Sequence, residues 1–360
     1  MTALLVILIL VVLIVVHELG HFIVAKIIGV RVQEFGVGYP PRAFRFGKIG
    51  DTEYTLNWIP FGGFVRLFGD EGESERGRGS FVEASRVKQA AILFAGILMN
   101  LVLAWILFAA ALHMGIPRPV GYLGPGVQML ISDVVPGSPA DAARIHPGDE
   151  LIGMVDEKGS MPADLLPKTV AEYVGMRAGE RIQVEYIRDG ITVITGITPA
   201  NAVIPGLAGR AGLGIGLVLV SSEPLPWSQA IGDALSEMLL AFVRVAQSVW
   251  GILANTVQGT LSLSGVIGPV GLVSVVGAAA KTGFAQVLAL AAFISVNLAV
   301  INLIPIPALD GGRLAIVAVE SVLRRPAPKL AIYILNAVGI AAIAFLMIAV
   351  TYHDIARLVA

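Results

Sequence analysis

The 360-residue chain contains no cysteine. That removes disulfides, thiolate zinc sites, iron–sulfur clusters and a cysteine nucleophile, so any metal must be held by His and carboxylates. Charge is also scarce: Asp, Glu, Lys and Arg make up 14% of the residues, against roughly 25% in an average soluble protein. The signs balance, with 25 Lys+Arg against 26 Asp+Glu, so no bulk basic field exists to attract nucleic acid. Apolar residues fill the gap, at 56% of the chain and a mean hydropathy of +0.81. So little polar surface cannot cover one soluble core, and the chain is expected to live in a lipid bilayer.

Residues 1–34 open on an uncharged run from Thr2 to Val16. No basic segment precedes Leu4 and no small-x-small site follows, which argues against a cleaved signal peptide. As one helix, Thr2–Ile28 reaches about 40 Å, enough to cross a ~30 Å hydrocarbon core with tilt. Further spans are expected over 88–113, 284–304 and 330–352. Residues 228–258 are apolar but interrupted by Asp233, Glu237, Arg244 and Gln247. The preferred reading there is an amphipathic helix at the interface, with a fifth span as the alternative. The fold class expected is a polytopic α-helical membrane protein of about four transmembrane helices.

Charge orients these spans. The segment from Lys26 to Lys88 holds ten Lys/Arg, among them Arg42, Arg45, Lys48 and Arg66, and the loop from Arg313 to Lys329 holds Arg313, Arg324, Arg325 and Lys329 against a lone Glu320. The stretch His113–Trp227 has eight Lys/Arg against twelve Asp/Glu. Basic short loops stay in the cytoplasm, so the acidic middle is expected outside. Within it, residues 121–200 read as an inserted α+β module: short β-type runs are punctuated by turns, with Asp189-Gly190 as a hairpin signal. The segment Gly137-Ser138-Pro139-Ala140-Asp141 through Pro147-Gly148-Asp149-Glu150 resembles the PDZ signature, with Ala-Arg-Ile at 143–145 in place of the usual Ala-Gly-Leu. A PDZ groove takes an extended peptide, such as a C-terminus, onto a sheet edge. Tyr122, Leu123 and Gly124 are the expected carboxylate-binding start of that groove. The alternative is a module that only blocks access.

The chemistry concentrates at His17-Glu18-Leu19-Gly20-His21. H-E-x-x-H on a helix sets two imidazoles one turn apart on one face, at zinc-chelating distance, with Glu18 placed to act on a metal-bound water. Ionisable groups inside a span are costly and therefore functional by default. Two His leave a catalytic zinc one protein ligand short. His113 and His353 are expected at the outer ends of their spans and His146 in the outer module, on the wrong side of the membrane. Asp310 follows the third span in Asn302-Leu303-Ile304-Pro305-Ile306-Pro307-Ala308-Leu309-Asp310-Gly311, where two prolines must break the helix at membrane depth. Asp310 is the expected third ligand, Glu320 the runner-up, and an N-cap role for Asp310 the structural alternative. Asn297, Asn336 and Trp250 read as packing residues.

With these motifs the chain resembles the site-2 protease family of intramembrane zinc metalloproteases, of the bacterial regulator-of-sigma-E type. Phe35-Gly36-Val37-Gly38, Pro60-Phe61-Gly62-Gly63-Phe64-Val65 and Leu263-Ser264-Gly265 support the resemblance. It implies one Zn2+ on His17, His21 and Asp310, Glu18 as catalytic base, and Asn302 contacting the substrate backbone. It also implies a membrane-associated β-hairpin within 35–87, whose edge at Gly63, Phe64 and Val65 pairs with substrate. The implied substrates are single-span membrane proteins already trimmed outside, of the anti-sigma-factor or remnant-signal-peptide kind, cut in the bacterial cytoplasmic membrane. Two departures stand out. Gly96-Ile97-Leu98-Met99-Asn100 lacks the Pro that relatives often carry before this Asn, which leaves Asn100 without an assigned role. One PDZ signature is visible where the best-known relatives have two. Rival readings are an inactive PDZ-bearing scaffold and a metal or proton transporter, although a transporter needs polar residues strung along its spans rather than clustered at one depth.

Overall fold

The computed structural model describes residues 1–70, 77–201, 211–257, 268–325 and 327–359. The Leu263-Ser264-Gly265 motif lies outside the described residues. In chain order the first half contains α1 (Thr2–Ile28), β1 (Val32–Ile49), β2 (Thr52–Leu67), α2 (Arg86–His113), β3 (Arg118–Pro119), β4 (Val127–Val134), α3 (Pro139–Ala142), β5 (Glu150–Asp156) and α4 (Pro167–Gly175). The second contains β6 (Ile182–Arg188), β7 (Ile191–Ile197), β8 (Ala200–Asn201), β9 (Ala211–Gly212), β10 (Ile215–Ser221), α5 (Trp227–Val257), α6 (Pro269–Thr282), α7 (Phe284–Leu303), α8 (Asp310–Leu323) and α9 (Lys329–Val359). The chain divides into two compact units, one of 1–113 with 225–360 and one of 114–224.

In the larger unit, five helices are long and apolar enough to cross a membrane: Thr2–Ile28, Arg86–His113, Trp227–Ile252, Phe284–Leu303 and Leu330–Ala356. α1 ends where Gly29 turns to φ 86 and its N–H closes back on the Ala25 and Lys26 carbonyls, a left-handed cap that glycine adopts without a Cβ penalty. α2 packs against α1, α5, α7 and α8. One apolar cluster joins Val6, Ile9 and Leu13 of α1 to Val276 of α6 and to Val287 and Ala291 of α7. A second joins Ala104 of α2 to Met238 and Val245 of α5 and Ala292, Val296 and Val300 of α7.

The apolar stripe of α5 has a partner. Ala230, Ala234, Met238 and Val245 are buried, the Trp227 ring stacks on His113 at 4.2 Å, and the Trp105 indole donates to the Ile231 carbonyl at 2.9 Å. α5 therefore starts beside the end of α2 and runs back along it.

The β region is more than a hairpin. Glu34, Phe35, Gly36 and Val37 face Arg66, Val65, Phe64 and Gly63 on one side, and Glu53, Tyr54, Thr55 and Leu56 on the other. Residues 42–49 also pair with 52–57. Each long strand thus doubles back, giving a small curled sheet. On one face Phe35 and Tyr54 pack around Phe22 of α1. Glu34 belongs to the other face and is buried, accepting from the Thr55 hydroxyl at 2.7 Å and from Arg42 at 3.2 Å, and also bonded by Arg66.

The smaller unit contains a six-stranded sheet of order β3-β10-β4-β5-β6-β7 and a separate β8-β9 pair. It is wider than the 121–200 expected: β10 pairs along all of β4, with β3 on its other side. The Asp189-Gly190 turn carries φ 52 and 77, the backbone that a two-residue hairpin loop demands. At α3, the Ser138 side chain accepts from Asp141 N–H at 3.2 Å while Asp141 accepts from Gly137 N–H at 2.7 Å, a reciprocal cap. Arg144 stands at φ 58, where the PDZ signature has glycine. Tyr122 and Leu123 are exposed and, with Gly124, form the loop entering β4, at the Ser221 end of β10. The longer helix α4 packs instead on β9, at the other end of that strand.

Candidate metal centre

Positions 17 and 21 of α1 lie one turn apart, and both imidazoles are buried. Their Nε2 atoms sit 3.2 Å from each other. The Asp310 Oδ2 completes a triangle, at 2.9 Å from His17 Nε2 and 3.2 Å from His21 Nε2. Among the described residues this is the one His/Cys/Asp/Glu group able to hold a metal ion. Two ligands about 2.05 Å from a tetrahedral zinc are ~3.3 Å apart, so the three donors already stand near zinc spacing. The donor set fits as well, with two imidazoles and one carboxylate.

The path to Asp310 explains its position. α7 stops at Leu303, ahead of Pro305 and Pro307, and Ala308 turns at φ 75 before α8 begins. Leu309 is the N-cap residue and makes no side-chain cap bond. Asp310 is the first residue of α8, and its carboxylate faces the imidazoles rather than capping the helix. Gly311 and Gly312 leave no room for a Cβ: one would meet Leu303 carbonyl carbon at 2.6 Å and the other Ile306 carbonyl carbon at 2.7 Å. Asn336 of α9 accepts from Ala308 N–H at 3.3 Å, so it steadies this loop rather than simply packing. Asn297 donates within its own helix to the Phe293 carbonyl at 2.8 Å, and Trp250 is exposed. Glu320 is not part of the centre: it pairs with Arg86 at 2.8 Å and accepts from Ala327 N–H at 2.8 Å.

α2 builds the wall behind the imidazoles. His21 Nδ1 bonds to the Ile92 carbonyl at 2.8 Å, and Asn100 touches His17 Nδ1 at 3.2 Å. Between them, Gly96 is the residue on which the rings lean; a Cβ there would stand 2.5 Å from His21 Cε1 and 2.8 Å from His17 Cε1. Gly20 plays the matching part on α1, where a Cβ would meet the Ala95 carbonyl carbon at 2.8 Å. Asn100 is fully buried, and its place beside His17 corrects the reading that left it without a role.

The sheet supplies the opposite wall. Val65 stands beside the Glu18 carboxylate, and a Cβ on Gly63 would lie 3.3 Å from Glu18 Cγ. The Phe64 ring covers Gly36 and, with Val65, borders a cavity of about 670 Å³ also lined by Tyr39, Asn57, Arg66 and Asp70. Tyr39 was invisible to sequence reasoning; its ring covers Gly62, and burial first, then the negative charge of Glu18, pushes its hydroxyl pKa up. Asn302 lies half-buried in the last turn of α7, and among the described residues its side chain has no hydrogen bond.

Several apolar helices enclosing an imidazole–carboxylate triad, with a glutamate between the imidazoles, define a polytopic membrane protein built around a zincin-type centre. The sequence comparisons give the family. The model of peptidase family M50 matches residues 5–346, and the chain belongs to that family. A Clostridium perfringens protein carrying the name zinc metalloprotease is 35% identical over 95% of both chains. The zinc metalloprotease RasP of Shouchella clausii is 27% identical over 96% of this chain and 97% of its own, and an Agrobacterium fabrum relative of similar name is 30% identical over 98% and 95%. The chain is therefore an intramembrane zinc metalloendopeptidase with a zinc cofactor.

Proposed function

We propose that this peptidase cuts the membrane-spanning segment of single-span proteins already trimmed outside the membrane, such as anti-sigma factors or remnant signal peptides, in the bacterial cytoplasmic membrane. His17, His21 and Asp310 hold the zinc. Bound there, zinc acts as a Lewis acid that polarises the scissile carbonyl and acidifies water. Glu18 takes a proton from the attacking water and delivers it to the leaving amine. The observation that carries the reading is the contact between Gly63–Val65 and Glu18. A spanning helix hides its carbonyls in i→i−4 bonds, so cleavage needs an unwound segment held extended, and a strand beside the base offers backbone for that. Asn302, at the broken end of α7, is the further substrate-backbone contact.

The 26–88 and 313–329 segments stay cytoplasmic, and the 114–224 unit lies outside as a PDZ-like module that excludes untrimmed proteins or takes a new C-terminus. α5 enters the membrane alongside α2, because its buried stripe meets Ala104 and Val300, and this reading replaces a helix lying flat at the interface.

The test is cleavage of a trimmed single-span reporter by detergent-solubilised protein beside Glu18→Gln, with zinc counted in both. Wild type is expected to cut and the variant to lose at least ~100-fold, with zinc unchanged. Cutting that survives the substitution overturns the role of Glu18. Bound zinc without cutting of a broad reporter panel favours a scaffold or transporter.

A further inference from the structure

Asn100 presents a contradiction that only one arrangement resolves. Its side-chain nitrogen faces His17 Nδ1 at 3.2 Å, while its oxygen is buried with no partner. An imidazole that binds metal through Nε2 keeps its proton on Nδ1, which makes that atom a donor. Two donors cannot bond each other. Amide oxygen and nitrogen are distinguished by their partners alone, and turning the amide over gives the His17 N–H an acceptor.

We propose that Asn100 is a positioning residue: its Oδ1 accepts the His17 Nδ1 proton and so fixes the tautomer and ring plane that aim Nε2 at the metal. The inference rests on His17 and His21 as zinc ligands. It also gives α2 one coherent purpose. Residues 92, 96 and 100 fall at successive turns of one helix face. The first offers a carbonyl to His21, the second offers empty space for both rings, and the third offers an amide oxygen to His17. Ser295 of α7 donates to the Asn100 carbonyl at 2.8 Å and anchors this turn. Outer partners of this kind change metal affinity by roughly 10–100-fold.

The experiment measures zinc affinity of the full-length detergent-solubilised protein by competition with a chromogenic chelator, independently of proteolysis. Three side chains that branch alike at Cγ are compared at position 100. Asn100→Leu keeps the packing but has no acceptor, and is expected to bind zinc roughly 10–100-fold more weakly. Asn100→Asp keeps the acceptor, and is expected to stay within about threefold of wild type. A Leu variant that binds like wild type, or an Asp variant as weak as Leu, overturns the proposal. His17→Ala and His21→Ala run alongside. If these keep wild-type affinity, the ligand assignment itself has failed; if they lose zinc while position 100 is neutral, only the role of Asn100 has.

Discussion

Gly96→Ala puts the geometry of the metal centre to its hardest test, because the change is one methyl group. The new Cβ would lie 2.5 Å from His21 Cε1, about 0.9 Å inside the 3.4 Å at which ordinary contact begins, and would press on His17 Cε1 at 2.8 Å. Neither ring can retreat freely. His21 is tied to the Ile92 carbonyl, His17 touches Asn100, and both face Asp310. Zinc ligands tolerate displacement of only about 0.2 Å, and misplacement by ~1 Å at a reacting centre costs about 10²-fold in rate. Overpacking would subtract about 1–3 kcal/mol of stability, partly offset by up to ~1 kcal/mol of helix propensity gained over glycine. The expected result is a folded protein with reduced zinc and at least ~100-fold slower cleavage, read by elemental analysis and by a single-span reporter. Gly232→Ala is the control, since nothing lies within 4 Å of its Cβ position. A Gly96→Ala protein with full zinc and activity within about twofold of wild type would refute the argument that α2 sets the imidazole positions.

Arg144→Gly is expected to stabilise the smaller unit by about 0.5–1 kcal/mol, since φ 58 strains a side chain there and the gain outweighs the freedom glycine adds to the unfolded chain; a lower denaturation midpoint would contradict this. Asp149→Asn should cost that unit about 3 kcal/mol in urea unfolding, because Asp149 is 2% exposed and grips Arg188 through both oxygens at 2.7 and 2.6 Å. Burial raises the Glu34 carboxyl pKa, but the Thr55 hydroxyl and the Arg66 and Arg42 guanidiniums outweigh it and leave the pKa lowered. Its stabilisation is therefore present above the unfolded pKa near 4.3 and disappears as pH falls through the folded value. The melting difference between wild type and Glu34→Gln should be largest at neutral pH and shrink on acidification, and a constant difference would count against the ion cluster.

The metal triad was legible because its parts announce themselves at short range. Two imidazoles four positions apart need only a helix to converge, and a carboxylate behind two prolines at a helix end has few other reasons to sit in a membrane. Asn100 was hidden because its partner is 83 positions away and the Pro that marks this turn in relatives is Ile97. Glu320 looked available until Arg86, brought in by tertiary packing, neutralised it. The sheet was read as a hairpin because alternation reports strands but not a strand doubling back; the pairing of Phe35 with both Val65 and Tyr54 is a tertiary fact. β10 escaped notice because it returns to the sheet about 80 residues after β4, its pairing partner.

One detail of the sheet has a wider meaning. Val65 stands beside the Glu18 carboxylate, and Gly63 lies against its Cγ. Any side chain at position 63 would press on the base itself, so the sheet sets the room left to Glu18.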